Sequence, residues 1–160
     1  MIKINHKMEP MIQWFSCEDQ DLIMKKVDEL SSVVFSKIKE IDQKMVVMDF
    51  DDSLMDNMLD YEWILSTFKD LTGYEANCNK MRFSDFIVLD GISIYPFSVN
   101  FLNRLRKEIT TKYPKYHFTI ILQLLKEDAE IRFHLTREDE QAWLVDNLDT
   151  YNESLLVCTT

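Results

Sequence analysis

The chain has 160 residues with a net charge of −10, and its 18 basic residues stand against 28 acidic ones. That length suits one domain, 1–160, with a core large enough to need neither disulfides nor a structural metal, and the charge disfavours nucleic acid and anionic membranes as partners. Two glycines and three prolines argue against a turn-rich β-sandwich and against a glycine-rich phosphate loop.

In chain order, Ile2 and Ile4 suggest a short opening strand, followed by Pro10 and the apolar patch from Met11 to Phe15. Ser16 or Asp19 is placed to cap a helix whose apolar positions Leu22, Ile23, Val27, Leu30, Val34, Ile38 and Ile41 recur every three or four residues. Lys44 to Met48 reads as a short buried strand. After the acidic stretch from Asp49 to Asp56, the residues Leu54, Met58, Tyr61, Trp63, Leu65 and Phe68 predict a helix that Gly73 ends. Phe86 to Leu89 and Ile92 to Tyr95 flank Asp90-Gly91, which predicts a hairpin. Val99, Leu102, Leu105 and Ile109 predict a helix with a basic outer face, closed by Pro114.

The last third has the clearest periodicity. Phe118, Ile120, Leu122 and Leu124 share one face of a strand, and Ile131, Phe133 and Leu135 alternate with Glu130, Arg132 and His134 in a second. The two predict an antiparallel hairpin. Thr136 then opens a predicted helix carrying Trp143, Leu144, Leu148 and Tyr151 inward, and Leu155 to Cys158 predicts a final strand. The expected fold is a single α+β domain: an antiparallel or mixed sheet that includes this C-terminal hairpin, packed against three to four helices.

Cys17, Cys78 and Cys158 share no close spacing, which fits reduced thiols in a cytoplasmic protein better than a disulfide framework or a metal site. His6, His117 and His134 lack the further ligands that a metal centre needs, so no metal and no cofactor are assigned, and the histidines are read as exposed or internally satisfied. The opening residues lack the apolar run of a secretory signal, and no stretch is long enough to span a bilayer.

The charge is segregated. Asp49 to Glu62 holds six acids and no base, and Glu127 to Glu153 holds nine acids against Arg132 and Arg137. These two segments carry −13, which leaves the remainder of the chain at +3. Acids beside Tyr61, Trp63 and Trp143 have the composition of a surface that captures a cationic protein: charge steers the encounter and aromatic side chains supply the buried contacts. The candidate partner-binding residues are Asp49, Asp51, Asp52, Asp56, Asp60 and Tyr61 in the first segment and Glu138, Glu140 and Asp146 in the second.

Two resemblances bear on function. Met45-Val-Val-Met-Asp49-Phe-Asp51-Asp52-Ser-Leu54 resembles the first motif of the haloacid-dehalogenase-like phosphohydrolases, which implies a nucleophilic Asp49 and an acid/base Asp51 beside Mg²⁺. The later Ser or Thr, Lys and acid pair of that family have no counterparts at matching positions. The small, acidic α/β profile, with its ending from Arg137 to Leu148 and a terminal strand, resembles bacterial immunity proteins of contact-dependent inhibition and related toxin systems. That resemblance implies a non-enzymatic inhibitor binding a cognate, basic, nuclease-like toxin domain. A phage-encoded acidic inhibitor of a host nuclease has the same profile.

Overall fold

In the computed structural model, which describes residues 1–12, 20–53 and 59–160, the chain is an α+β fold organised on a five-stranded antiparallel sheet. The strands are β1 (Ile2–Ile4), β4 (Met81–Arg82), β5 (Phe118–Leu124), β6 (Ala129–Leu135) and β7 (Ser154–Thr159), in the order β1-β7-β5-β6-β4. The predicted hairpin is present, with Phe118 opposite Leu135 and Leu124 opposite Ala129. One face of the sheet is covered by a helix pair, α2 (Gln20–Val34) and α5 (Ile94–Lys112), with α5 against β5 and β6 and α2 against α5. Ile23, Val27 and Leu30 of α2 and Phe97, Phe101 and Leu105 of α5 meet Phe118, Ile120, Leu122 and Phe133 in the main core. A short helix, α1 (Glu9–Ile12), follows β1.

A two-stranded ribbon, β2 (Ile38–Ile41) and β3 (Met45–Met48), stands beside this sheet. β3 is buried on both faces: Val46 and Met48 enter the main core, while Met45 and Val47 form a second cluster with Ile64 and Tyr74. The last two residues belong to the helices α3 (Tyr61–Phe68) and α4 (Leu71–Cys78). The ribbon makes no backbone ladder with the sheet. Two side chains, one on α4 and one on the residue that caps its C-terminus, span the gap between β3 and β6. Glu75 accepts from Val46 N at 2.8 Å and from Leu135 N at 2.9 Å. Asn79 accepts from Met48 N at 2.6 Å and donates to Val46 O at 2.7 Å and Phe133 O at 3.0 Å. Backbone groups buried between the two sheets therefore find partners on a helix.

Four expectations are corrected. The first helix stops at Val34; Ile38 and Ile41 keep its spacing but lie in β2, opposite Met48 and Met45. The connection, residues 42–44, has Asp42 and Gln43 at φ 51° and 57°, the left-handed pair at the centre of a turn that Lys44 N closes on Ile41 O at 2.9 Å. Gly73 does not end a helix. It sits in the first turn of α4, where Asp70 accepts from its amide at 2.7 Å and where a Cβ would meet Phe68 O at 2.6 Å. The hairpin predicted around Asp90-Gly91 keeps its turn, with Gly91 at φ 73°, and loses its strands. Pro96 lies in the first turn of α5, where a missing N–H costs no helical hydrogen bond, so the helix takes up Ile94 and Tyr95.

The fourth correction bears on the site. No α-helix follows Thr136; residues 136–153 form an irregular strap with one 3₁₀ turn, Leu148–Thr150, laid over the face of the sheet opposite α2 and α5. Leu144, Leu148 and Tyr151, read as a helical stripe, pin the strap to Ile121, Leu155 and Val157. Its polar residues are drawn to other elements: Arg137 to Glu75 at 2.8 Å, and Glu140 to the amide of Thr72 at 2.7 Å. Those tertiary contacts outweigh a weak helical propensity.

Candidate functional site

The acids of the first segment fall into two groups at opposite ends of β3. Asp49 follows the strand and is 1 % exposed, its carboxylate 3.1 Å from Lys39 Nζ. Asp52 is exposed and takes both Lys37 at 2.7 Å and Lys39 at 2.6 Å; hydrogen bonds from the two ammonium groups hold its carboxyl down at about 2. Asp51 is exposed, and the hydroxyl and amide of Ser53 lower its carboxyl below the ordinary range. Asp49 thus serves inside the molecule, and two lysines answer the charge of Asp52. Asp56 lies outside the described residues.

At the other end of β3, Asp60 caps α3 by accepting from Trp63 N at 2.9 Å, and Tyr61 donates its hydroxyl to Asp42 at 2.7 Å. Burial, reinforced by Asp42, pushes the Tyr61 hydroxyl up to about 12, and Lys44 Nζ sits 4.5 Å from the ring centre. Tyr61, Ile64 and Phe68 face inward. At ~100° per residue, Ser66 then lies nearest the middle of the outer face, with Glu62 and Trp63 about 50° to either side of it and Leu65 at the margin of the inward face. Trp63 is 53 % exposed and Leu65 48 %. Trp63 is held edge-on against Phe68, which is itself edge-on to Tyr74, with ring centroids 5.7 and 5.3 Å apart. An exposed tryptophan on so fixed a support presents a large apolar surface with little rotamer freedom left to lose.

The second segment divides similarly. Glu140 is bound by the amides of Leu71 and Thr72 at the start of α4 and lies 3.7 Å from Arg137, so it too serves internally. Glu138 is exposed on the same bend, beside the corner between α3 and α4. Asp146 is fully exposed at the β1 edge, 3.4 Å from Lys3. Glu140 therefore ties the second segment to the start of α4, which lies beyond the first segment, and Asp146 stands apart at the β1 edge. Among the described residues, no group of three or more His, Cys, Asp or Glu side chains is placed to hold a metal ion.

The strap creates a feature that the sequence reading missed. Between it and the sheet lies a cavity of about 250 Å³, walled by Ile121, His134 and Val157 below and by Trp143 and Leu144 above, with Arg137 and Glu140 at one side. The alternation of β6 placed His134 on the wet face; the strap turns that face into an interior. Nδ1 of His134 lies 2.8 Å from Leu135 O and must carry the proton to donate there, and Nε2 has no partner among the described residues.

Burial, with a smaller contribution from Arg137, lowers the His134 pKa below its ordinary 6.5, against the opposing pull of Leu135 O, Asp70 and Glu140. Because the folded-state value is depressed, the stability contributed by the neutral ring is full above pH 6.5 and is lost as pH falls through the folded-state value. Unfolding free energies measured from about pH 7 to about pH 5 should fall with a shallower slope in His134→Leu than in the wild type. Parallel slopes would show that the ring titrates in the folded protein as it does in the unfolded chain.

The model of a family described as Uncharacterized protein PM0498 family matches residues 3–160. No curated protein and no solved structure matches the chain. Among the described residues no helix is long and apolar enough to cross a membrane.

Proposed function

We propose that this chain, which belongs to the Uncharacterized protein PM0498 family, works as a protein-binding domain that captures a basic partner on the outer face of α3. The observation that carries this reading is Trp63: a half-exposed indole, fixed from behind by Phe68 and set next to Glu62 and the helix-capping Asp60. Tryptophan in such a position is the residue type most often found at the energetic centre of a protein interface. Acids around it raise the rate of encounter with a cationic surface and exclude anionic competitors. Asp51 and Glu138 extend the negative field, while Asp49 and Glu140 hold the scaffold that presents it.

The family of functions that this chemistry favours is the immunity type, a stoichiometric inhibitor of a cognate toxin domain acting in the cytoplasm. The Asp49–Asp51 pair supports a phosphohydrolase less well, because Asp49 is buried against Lys39 and follows a strand of the two-stranded ribbon, outside the main sheet.

The test is genetic and then biophysical. The C-terminal domain of a large protein encoded directly upstream should arrest growth when expressed alone, and co-expression of this chain should restore growth. Trp63→Ala should weaken the purified complex by about 2 kcal/mol, roughly thirtyfold, with little change in fold. Reversing the exposed Asp51 and Glu62 to Lys should slow association and flatten its salt dependence. Absence of rescue, or wild-type affinity in Trp63→Ala, would overturn the proposal.

A further inference from the structure

Three cations converge on one carboxylate where β4 meets β6. The register sets Arg82 opposite Glu130 and, continued by one residue, Lys80 opposite Arg132. Alternation puts these four residues on the face of the sheet away from the main core, which Met81 and Ile131 enter. Glu130 is 5 % exposed. Its Oε1 is taken by Arg132, and its Oε2 lies 3.2 Å from Lys80 Nζ and 3.7 Å from Arg82 Nε. Arg132 is held from a second side by the Trp143 ring, whose centre is 5.7 Å from the guanidinium carbon. Among the described residues, Glu130 is the one carboxylate within 4 Å of Lys80 and of Arg82, both half-exposed.

Three positive charges against one negative leave a local excess of two, on a chain whose net charge is −10. Like charges opposite each other on paired strands repel, and one shared glutamate answers only part of that cost. We infer that this cluster binds a phosphate dianion, held by the guanidinium fork of Arg82 and the ammonium of Lys80, while Glu130 and Arg132 fix the two cations in place. Charge selects the ligand, because a phosphate carries about −1.5 to −2 near neutral pH and matches the excess, whereas a carboxylate or a sulfate ester supplies half of it. Geometry agrees: a guanidinium fork takes two oxygens of a phosphate together and leaves a third for an ammonium. Acids elsewhere on the chain do not forbid the approach, since physiological salt screens exposed charges more than about 8 Å apart. No residue of the outer face of α3 takes part, so failure of this site would leave the protein-binding reading intact.

Phenyl phosphate and phenyl sulfate test the inference on the full-length protein, because they share a tetrahedral head and differ by a single charge at about pH 8. In an NMR titration at about 50 mM salt, phenyl phosphate should shift the amides of Lys80, Arg82, Glu130 and Arg132 and bind about tenfold more tightly than phenyl sulfate. Arg82→Gln should lower the affinity for phenyl phosphate at least about tenfold and leave the urea midpoint of unfolding unchanged, as expected at a half-exposed side chain. Should that variant fail to fold, Lys80→Gln decides by the same loss of affinity. Inorganic phosphate, titrated alongside, distinguishes the sources: affinity equal to that of phenyl phosphate assigns the free ion, weaker affinity assigns an ester, and both uphold the site. No binding of either phosphate, shifts confined to another surface, equal affinities for phenyl phosphate and phenyl sulfate, or full affinity in Arg82→Gln would each overturn it.

Discussion

Glu75→Gln should lower the unfolding free energy by about 2–4 kcal/mol, although it removes a buried charge and changes hardly any volume. The reason is the count of donors. Oε1 of Glu75 accepts from Val46 N, and Oε2 accepts from Leu135 N and from Arg137. A glutamine offers one oxygen and one NH₂ group. Whichever way the amide is turned, its NH₂ faces at least one backbone N–H that has no other acceptor. Burial raises the Glu75 carboxyl above its ordinary range, against the pull of Arg137 and the two strand amides, and the three donors aimed at its two oxygens suit a carboxylate. With the anion gone, Arg137 keeps Glu140 at 3.7 Å as its carboxylate neighbour.

Urea titrations should show a lower midpoint at unchanged slope, the mark of altered stability without a change in the surface exposed on unfolding. Hydrogen exchange adds a local readout: in Glu75→Gln the amides of Val46 and Leu135 should exchange faster relative to that of Ile120 in the sheet interior. A variant within 1 kcal/mol of the wild type, with Val46 still protected, would remove Glu75 from its place as the link between ribbon and sheet.

How far the chain can be read in advance depends on whether each segment's partner is near in sequence. The β5–β6 hairpin, β7 and α5 are legible because their periods of two and three-to-four residues match the element that forms, and because few polar side chains on them have distant appointments. Ile38 and Ile41 satisfy a helical spacing and a strand equally well; Met45 and Met48, across a turn lacking the usual Asn-Gly, decide for the strand. The strap is illegible for a related reason. Its Thr136, Arg137 and Glu140 are bound by His117 O, Glu75 and Thr72 N, residues 19 to 68 positions away.

The site divides along the same line. The sign and clustering of the acids are sequence properties, whereas the pairing of Lys37 and Lys39 with Asp52, and the burial of Asp49, arise only when β2 folds beside β3. Trp63 was visible as an aromatic within an acidic stretch, but its exposure follows from α3 turning Tyr61, Ile64 and Phe68 inward. The His134 cavity had no sequence signal, since both the strap and the loss of solvent from that face are tertiary events.

Asn79→Leu should cost about 3–5 kcal/mol, near the upper end for a single substitution, and should cost binding as well. Leucine keeps the volume and removes all three hydrogen bonds, stranding Met48 N, Val46 O and Phe133 O in an interior where water does not replace them. Asn79→Asp separates the polar contribution from packing. Its carboxylate would set an oxygen where Nδ2 now donates to two carbonyls, so the folded-state pKa should rise above the ordinary aspartate value of about 3.9. A raised folded-state value means that the protonated form favours folding, so the deficit of Asn79→Asp relative to the wild type should deepen as pH rises from about 4 to about 8. Asn79→Leu carries no such group, and its deficit should stay level. Because Asn79 fixes the strand that leads to Asp49–Asp52, and the ribbon in turn supports α3 through Val47 and Ile64, loosening it frees the acidic face without altering any residue on it. Partner affinity should then fall in Asn79→Leu in proportion to the population in which the ribbon has detached, measurable as faster exchange at the amides of Val46 and Met48. Full affinity alongside rapid exchange there would show that the binding face holds its shape independently of the ribbon.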